Sequence, residues 1–230
     1  MKAKKKTCVL LIAMCLVIGC AIAGTLAWLT AKSDIVTNTF TTSNIDIALD
    51  ETKTDFKMVP GWTIEKDPKV TVKAGSEDCW LFVEVTESTD PELAKYIAYQ
   101  VDLANASIGK DGWTQGNGSD IPTNVYYRQV KDVIKDSEYV VLGAGTQVVS
   151  GVEYTWTNNQ VLVLPTVTKD MMDSLDKNQQ YPTLTFQAYA VQLWKTNKPD
   201  SNATNEQIAA AQFTAKQAWG QAEALKTTKQ

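Results

Sequence analysis

Apolar and polar positions alternate along most of this chain, and a helical period takes over only in a few places. Ile45, Ile47 and Leu49 alternate with polar or small neighbours, the period-2 mark of a half-buried strand. Val70 and Val72 repeat the pattern, and Trp80 to Val85 is denser, as suits a central strand covered on both faces. Further strands are expected at 125–130, 139–142, 151–155 and 160–165. The strongest spans 183–194, with Leu184, Phe186, Ala188, Ala190 and Gln192 on one face. Helical signals are fewer. Asp90 and Pro91 suit the cap and first turn of a helix running to Tyr99, and Thr168 caps a short one to Leu175. Ile208, Ala211, Ala215, Trp219 and Ala222 recur at helical spacing, which predicts a single helix over 202–225. Many strands separated by turns, without regular βαβ alternation, predict a mainly β antiparallel sandwich with two or three peripheral helices.

One stretch has no such period. Lys2, Lys4, Lys5 and Lys6 lead into an uncharged segment from Thr7 to Ala31. A basic head, an apolar run and then small residues form an export signal, so the remainder is expected to work outside the cytoplasm. Three readings of the run stand open. Cleavage after Ala23, before Gly24, uses the small residues Ala21 and Ala23; a second site lies between Ala27 and Trp28. Val17-Ile18-Gly19-Cys20 resembles a lipidation box, although the residues after Cys20 stay apolar. The run is also long enough to remain as a membrane anchor.

Charge and cysteines then narrow the partners. The chain carries 22 basic and 26 acidic side chains, and loss of residues 1–27 would leave 18 against 26. Such an acidic surface repels nucleic acid and anionic membranes. Of four cysteines, Cys79 alone lies beyond the export segment, so packing rather than a disulfide must hold the fold. Cys79 is expected to be a small buried hydrophobe.

Candidate chemistry is sparse. The chain has no histidine, which excludes Ser-His-Asp and Cys-His nucleophile systems and the His-Glu-x-x-His zinc helix. No phosphate loop or dinucleotide fingerprint occurs, and nothing nominates a catalytic, cofactor or metal residue, so a non-enzyme is expected. Asp111, Asn117 and Asp120, in the glycine-rich stretch 109–119, could offer oxygens to calcium, but a solvated loop explains them as well. Trp113, among those glycines, is the tryptophan expected to serve surface recognition, as in a sugar-binding or adhesive module.

Several segments together resemble the TasA/camelysin family of exported proteins of Gram-positive bacteria. They are 24–29 (Gly-Thr-Leu-Ala-Trp-Leu), 38–40 (Asn-Thr-Phe), 45–47 (Ile-Asp-Ile) and 59–61 (Val-Pro-Gly). The Val70 strand leading to 80–85 (Trp-Leu-Phe-Val-Glu-Val), 188–192 (Ala-Tyr-Ala-Val-Gln) and Ala218-Trp219 complete the set. The resemblance implies a SipW-type signal peptidase cutting between Ala27 and Trp28, and a jelly-roll sandwich. It further implies a secreted fibre subunit of the biofilm matrix, with accessory matrix proteins as further partners. In such fibres the N-terminal segment of one copy enters the sheet of the next. Carried onto this chain, 1–27 is the signal peptide and 28–43 the extended arm, with 44–230 as the sandwich. The donor residues are Trp28, Leu29, Ile35, Val36 and Phe40. Camelysin-like members are labelled metalloproteases, an activity that the lack of histidine argues against here. The stretch after Gln192 departs from the family's pattern.

Overall fold

The computed structural model describes residues 44–52, 56–104 and 111–227. The export segment, the cleavage positions Ala23, Gly24, Ala27 and Trp28, and the donor residues Trp28, Leu29, Ile35, Val36 and Phe40 lie outside them. The chain divides into Met1–Thr42 and Ser43–Gln230, and all described residues belong to the second unit.

That unit is mainly β, with several antiparallel sheets. One sheet has the order β1 (Ile47–Asp50), β3 (Lys69–Val72), β8 (Ser137–Val140). A larger one runs β12 (Leu184–Gln192), β4 (Cys79–Glu87), β7 (Val125–Val130), β6 (Thr114–Gln115). A third runs β2 (Thr63–Glu65), β11 (Gln160–Val163), β5 (Ile97–Ala98), and β9 (Gly145–Val149) with β10 (Val152–Trp156) makes a two-stranded ribbon. Three α-helices are described: α1 (Lys169–Asn178), α2 (Asn205–Ala211) and α3 (Ala215–Thr227).

Strand β4 organises the core because both of its faces are apolar. Cys79, Leu81, Val83 and Val85 meet Val70, Val72 and Val130 in the main cluster, to which Ile47, Phe186, Ala188 and Ala190 are added. The opposite face carries Phe82, which packs with Val125, Tyr189 and Val191 under Ala218, Trp219 and Ala222 of α3. The register explains the split. Phe186 lies opposite Val85 and Ala188 opposite Val83, while Tyr189 lies opposite Phe82, so odd positions of β4 share one face with even positions of β12, and the remaining positions share the other. A third cluster gathers Tyr96, Val163, Val167 and Leu175, the last from α1.

Several sequence expectations are corrected. The helix expected from Asp90 to Tyr99 is a single 3-10 turn at Leu93–Lys95, and Glu92 rather than Asp90 precedes it, without a side-chain cap. Ile97 and Ala98 instead pair with Val163 and Leu162, so sheet pairing outcompetes a helix that only three residues could have continued. The C-terminal helix is two helices. Gln212 is extended and bridges to Trp194, Phe213 N–H bonds the Leu193 carbonyl, and Thr214 accepts from Gln217 N–H to start α3. The strand expected at 139–142 is β8, shifted towards the N-terminus. The β9–β10 ribbon turns at Ser150 and Gly151, both with positive φ, and β9 is a strand that alternation alone does not reveal.

Candidate functional site

The candidate surface is built where the sheets end. In the order of the large sheet β12 is terminal, and β1 is terminal in the facing one, so among the described residues neither outer edge has a strand partner. The two strands lie against each other without ladder hydrogen bonds, which puts both edges on one side of the two sheets. The side chains that β12 turns to the main cluster, Leu184, Phe186, Ala188 and Ala190, are only half-buried, although Val85, Val83 and Leu81 of β4, opposite the last three, are buried. Leu49 of β1, whose pairing with Val70 turns it to the same interior, is 37% exposed. An edge with unpaired backbone and incompletely covered apolar side chains is a place for another strand.

At the start of β12 this edge runs into a cleft of about 370 Å³, walled by Phe56, Met58, Ile64, Tyr181, Pro182 and Leu184. Lys66 lines it, with its ammonium 2.6 Å from the carboxylate of Glu51, both side chains more than four-fifths buried. The rings of Phe56 and Phe186 flank the ammonium at 5.3 and 5.4 Å. A cation so held is neutralised on one side and stacked on two others, so it anchors the end of β1 beside β12. Neither Lys66 nor Glu51 is suggested by any local pattern; residues 15 apart meet only because β1 and the β2–β3 connection come together in space.

Asp78, at the head of β4, makes a second constellation. It is 8% exposed and accepts hydrogen bonds from Asp132 N–H (2.8 Å) and Trp194 Nε1 (2.9 Å), and pairs with Lys198 (2.9 Å). Burial alone would raise its pKa, but the Asp132, Lys198 and Trp194 donors together hold the carboxyl below its ordinary value. The stretch after Gln192 is thus tied to the head of β4 through Asp78, and Lys198 also pairs with Asp132 at 2.6 Å.

The residues singled out from sequence are distributed differently. Trp113 is 1% exposed, belongs to the main cluster and donates Nε1 to the Val140 carbonyl at 2.7 Å, so it is not available for surface recognition. The glycines around it mislead because they permit close backbone approach: a Cβ on Gly112 would lie 2.5 Å from the Asp102 carbonyl oxygen. Trp62 is the exposed tryptophan, at 70%. Asp111, Asn117 and Asp120 are not brought together. Asp111 pairs with Arg128, Asn117 Oδ1 accepts from the backbone of Ser119, Asp120 and Ile121, and Asp120 pairs with Lys216. Among the described residues no group of three or more acidic or cysteine side chains is placed to hold a metal ion, and no helix is long and apolar enough to cross a membrane. Cys79 is wholly buried, and burial, with Asp78 beside it, pushes its thiol up to about 12. Compared with protein-family models, curated proteins and solved structures, the chain matches none.

Proposed function

We propose that this protein is a secreted, non-catalytic structural subunit that polymerises by strand donation, its mature N-terminal arm pairing with the open edge of a neighbouring copy. The observation that carries the reading is the outer edge of the nine-residue β12, unpaired among the described residues, with half-covered apolar side chains beneath it. The arm from Trp28 to Phe40 is rich in β-branched and hydroxyl residues and ends just before β1. Extended, its 13 residues reach ~43 Å, more than the ~30 Å that β12 needs, which leaves a short tether between copies. Because the arm of one copy meets the edge of another, the contact is head-to-tail and does not close, the condition for a filament. In this proposal the facing β1–β3–β8 and β12–β4–β7–β6 sheets are the halves of a jelly roll. The arm is released by a SipW-type peptidase cutting between Ala27 and Trp28.

Sedimentation tests the proposal. The chain beginning at Trp28 should form large species that grow with concentration, and removal of residues 28–40 should leave a folded single species. Equal assembly with and without those residues would exclude the arm as donor.

A further inference from the structure

A second groove has Glu87 of β4 and Gln115 of β6 in its lining. It has a volume of about 400 Å³ and lies against the two-residue strands β5 and β6, each terminal in its sheet. We propose that this groove binds a neutral oligosaccharide.

Its lining has the chemistry for that class. Three amides (Gln100, Gln115, Gln147), two phenols (Tyr99, Tyr126) and one carboxylate (Glu87) surround it, and Val101 and Leu103 supply apolar surface. Amides and phenols both donate and accept, which matches hydroxyl groups that do the same. Half-buried tyrosine rings offer flat faces to the C–H surface of a sugar ring. Part of this set is already ordered. Tyr99 donates its hydroxyl to Glu87 at 2.5 Å, and Gln115 Nε2 donates to the Thr123 carbonyl at 2.8 Å and the Tyr126 hydroxyl at 3.4 Å. Gln147 pairs with Tyr154 through the backbone, and its exposed side-chain amide has no hydrogen bond among the described residues, so the amide is available to a ligand.

Other ligand classes fit less well. Among the described residues no lysine or arginine lines the groove, and Glu87 would repel a phosphate, sulfate or uronate. A lipid chain would leave the three amides unpaired. On β5 and β6 an added peptide strand would find edges only two residues long, too short for a useful ladder. This inference does not depend on strand donation, since neither β5 nor β6 pairs with β1 or β12.

Calorimetric titration of the purified protein with cellohexaose, maltohexaose, N-acetylchitohexaose and a hexagalacturonate tests it. At least one neutral hexasaccharide should bind saturably and the uronate should not. Gln147→Ala, on an exposed position of β9, and Tyr126→Ala should each weaken binding about tenfold. Failure of every neutral sugar to saturate, equal binding of the uronate, or indifference to both substitutions would overturn the assignment.

Discussion

A single carboxylate can decide whether a surface segment belongs to a domain. Asp78 gathers Trp194, Lys198 and the Asp132 amide, and its removal would leave two polar donors without their buried partner. Asp78→Ala should therefore lower stability by about 3 kcal/mol and open residues 193–204 to protease, as read from urea midpoints and limited proteolysis. The pH dependence has a definite sign. The folded carboxyl titrates below its ordinary 3.8, so its contribution is complete above that value and is lost as pH falls through the lower folded value. Asp78→Asn should flatten that acid limb. Little of this was legible in the sequence, where Asp78 is one acidic residue beside Cys79 and its donors are 54 to 120 positions away. Cys79 itself was legible, because a lone small apolar residue heading a strand has few fates other than burial. Trp113 was misread for the opposite reason: flanking glycines suggest an open loop, whereas here they let backbone pack close around a buried ring.

Among the elements, α3 depends most on one side chain. Trp219 is 2% exposed, its ring centre lies 5.3 Å from that of Phe82 and 5.9 Å from that of Tyr189, and the Lys226 ammonium sits 4.7 Å above it. Trp219→Ala should cost about 3–5 kcal/mol and undock the helix while the antiparallel sheets persist. Loss of near-ultraviolet dichroism with retained β signal in the far ultraviolet is the expected observation. The helical spacing of Ala215, Trp219 and Ala222 announced this element, and the alternation of β12 announced its inward face. What alternation could not announce was the break at Gln212, which exists because that residue and Phe213 bond across to Trp194 and Leu193. The short strands β2, β5 and β6 were hidden for the same reason, since two or three residues carry no period.

At the scale of the whole molecule the question is what an unfinished sheet edge is for. Soluble proteins usually blunt a long edge with charge, proline or a bulge, yet β12 carries no lysine, arginine, aspartate, glutamate or proline over nine residues. If the edge accepts an arm, a free peptide with the sequence of residues 28–40 should compete for it. Added in excess, that peptide should shorten the assemblies measured by light scattering, while a shuffled peptide of equal composition should not. The sequence by itself determined the mainly β class, the inward faces of β4 and β12, the burial of Cys79 and the want of histidine chemistry. These follow from composition and from a period of two, which every residue carries with it. Only the tertiary structure decided which strands stand at the edges, that β1 and β12 leave theirs on one side, and that Lys66 meets Glu51 between two phenylalanines. Each of these depends on pairing between residues distant in the chain, and neither spacing nor composition encodes a partner.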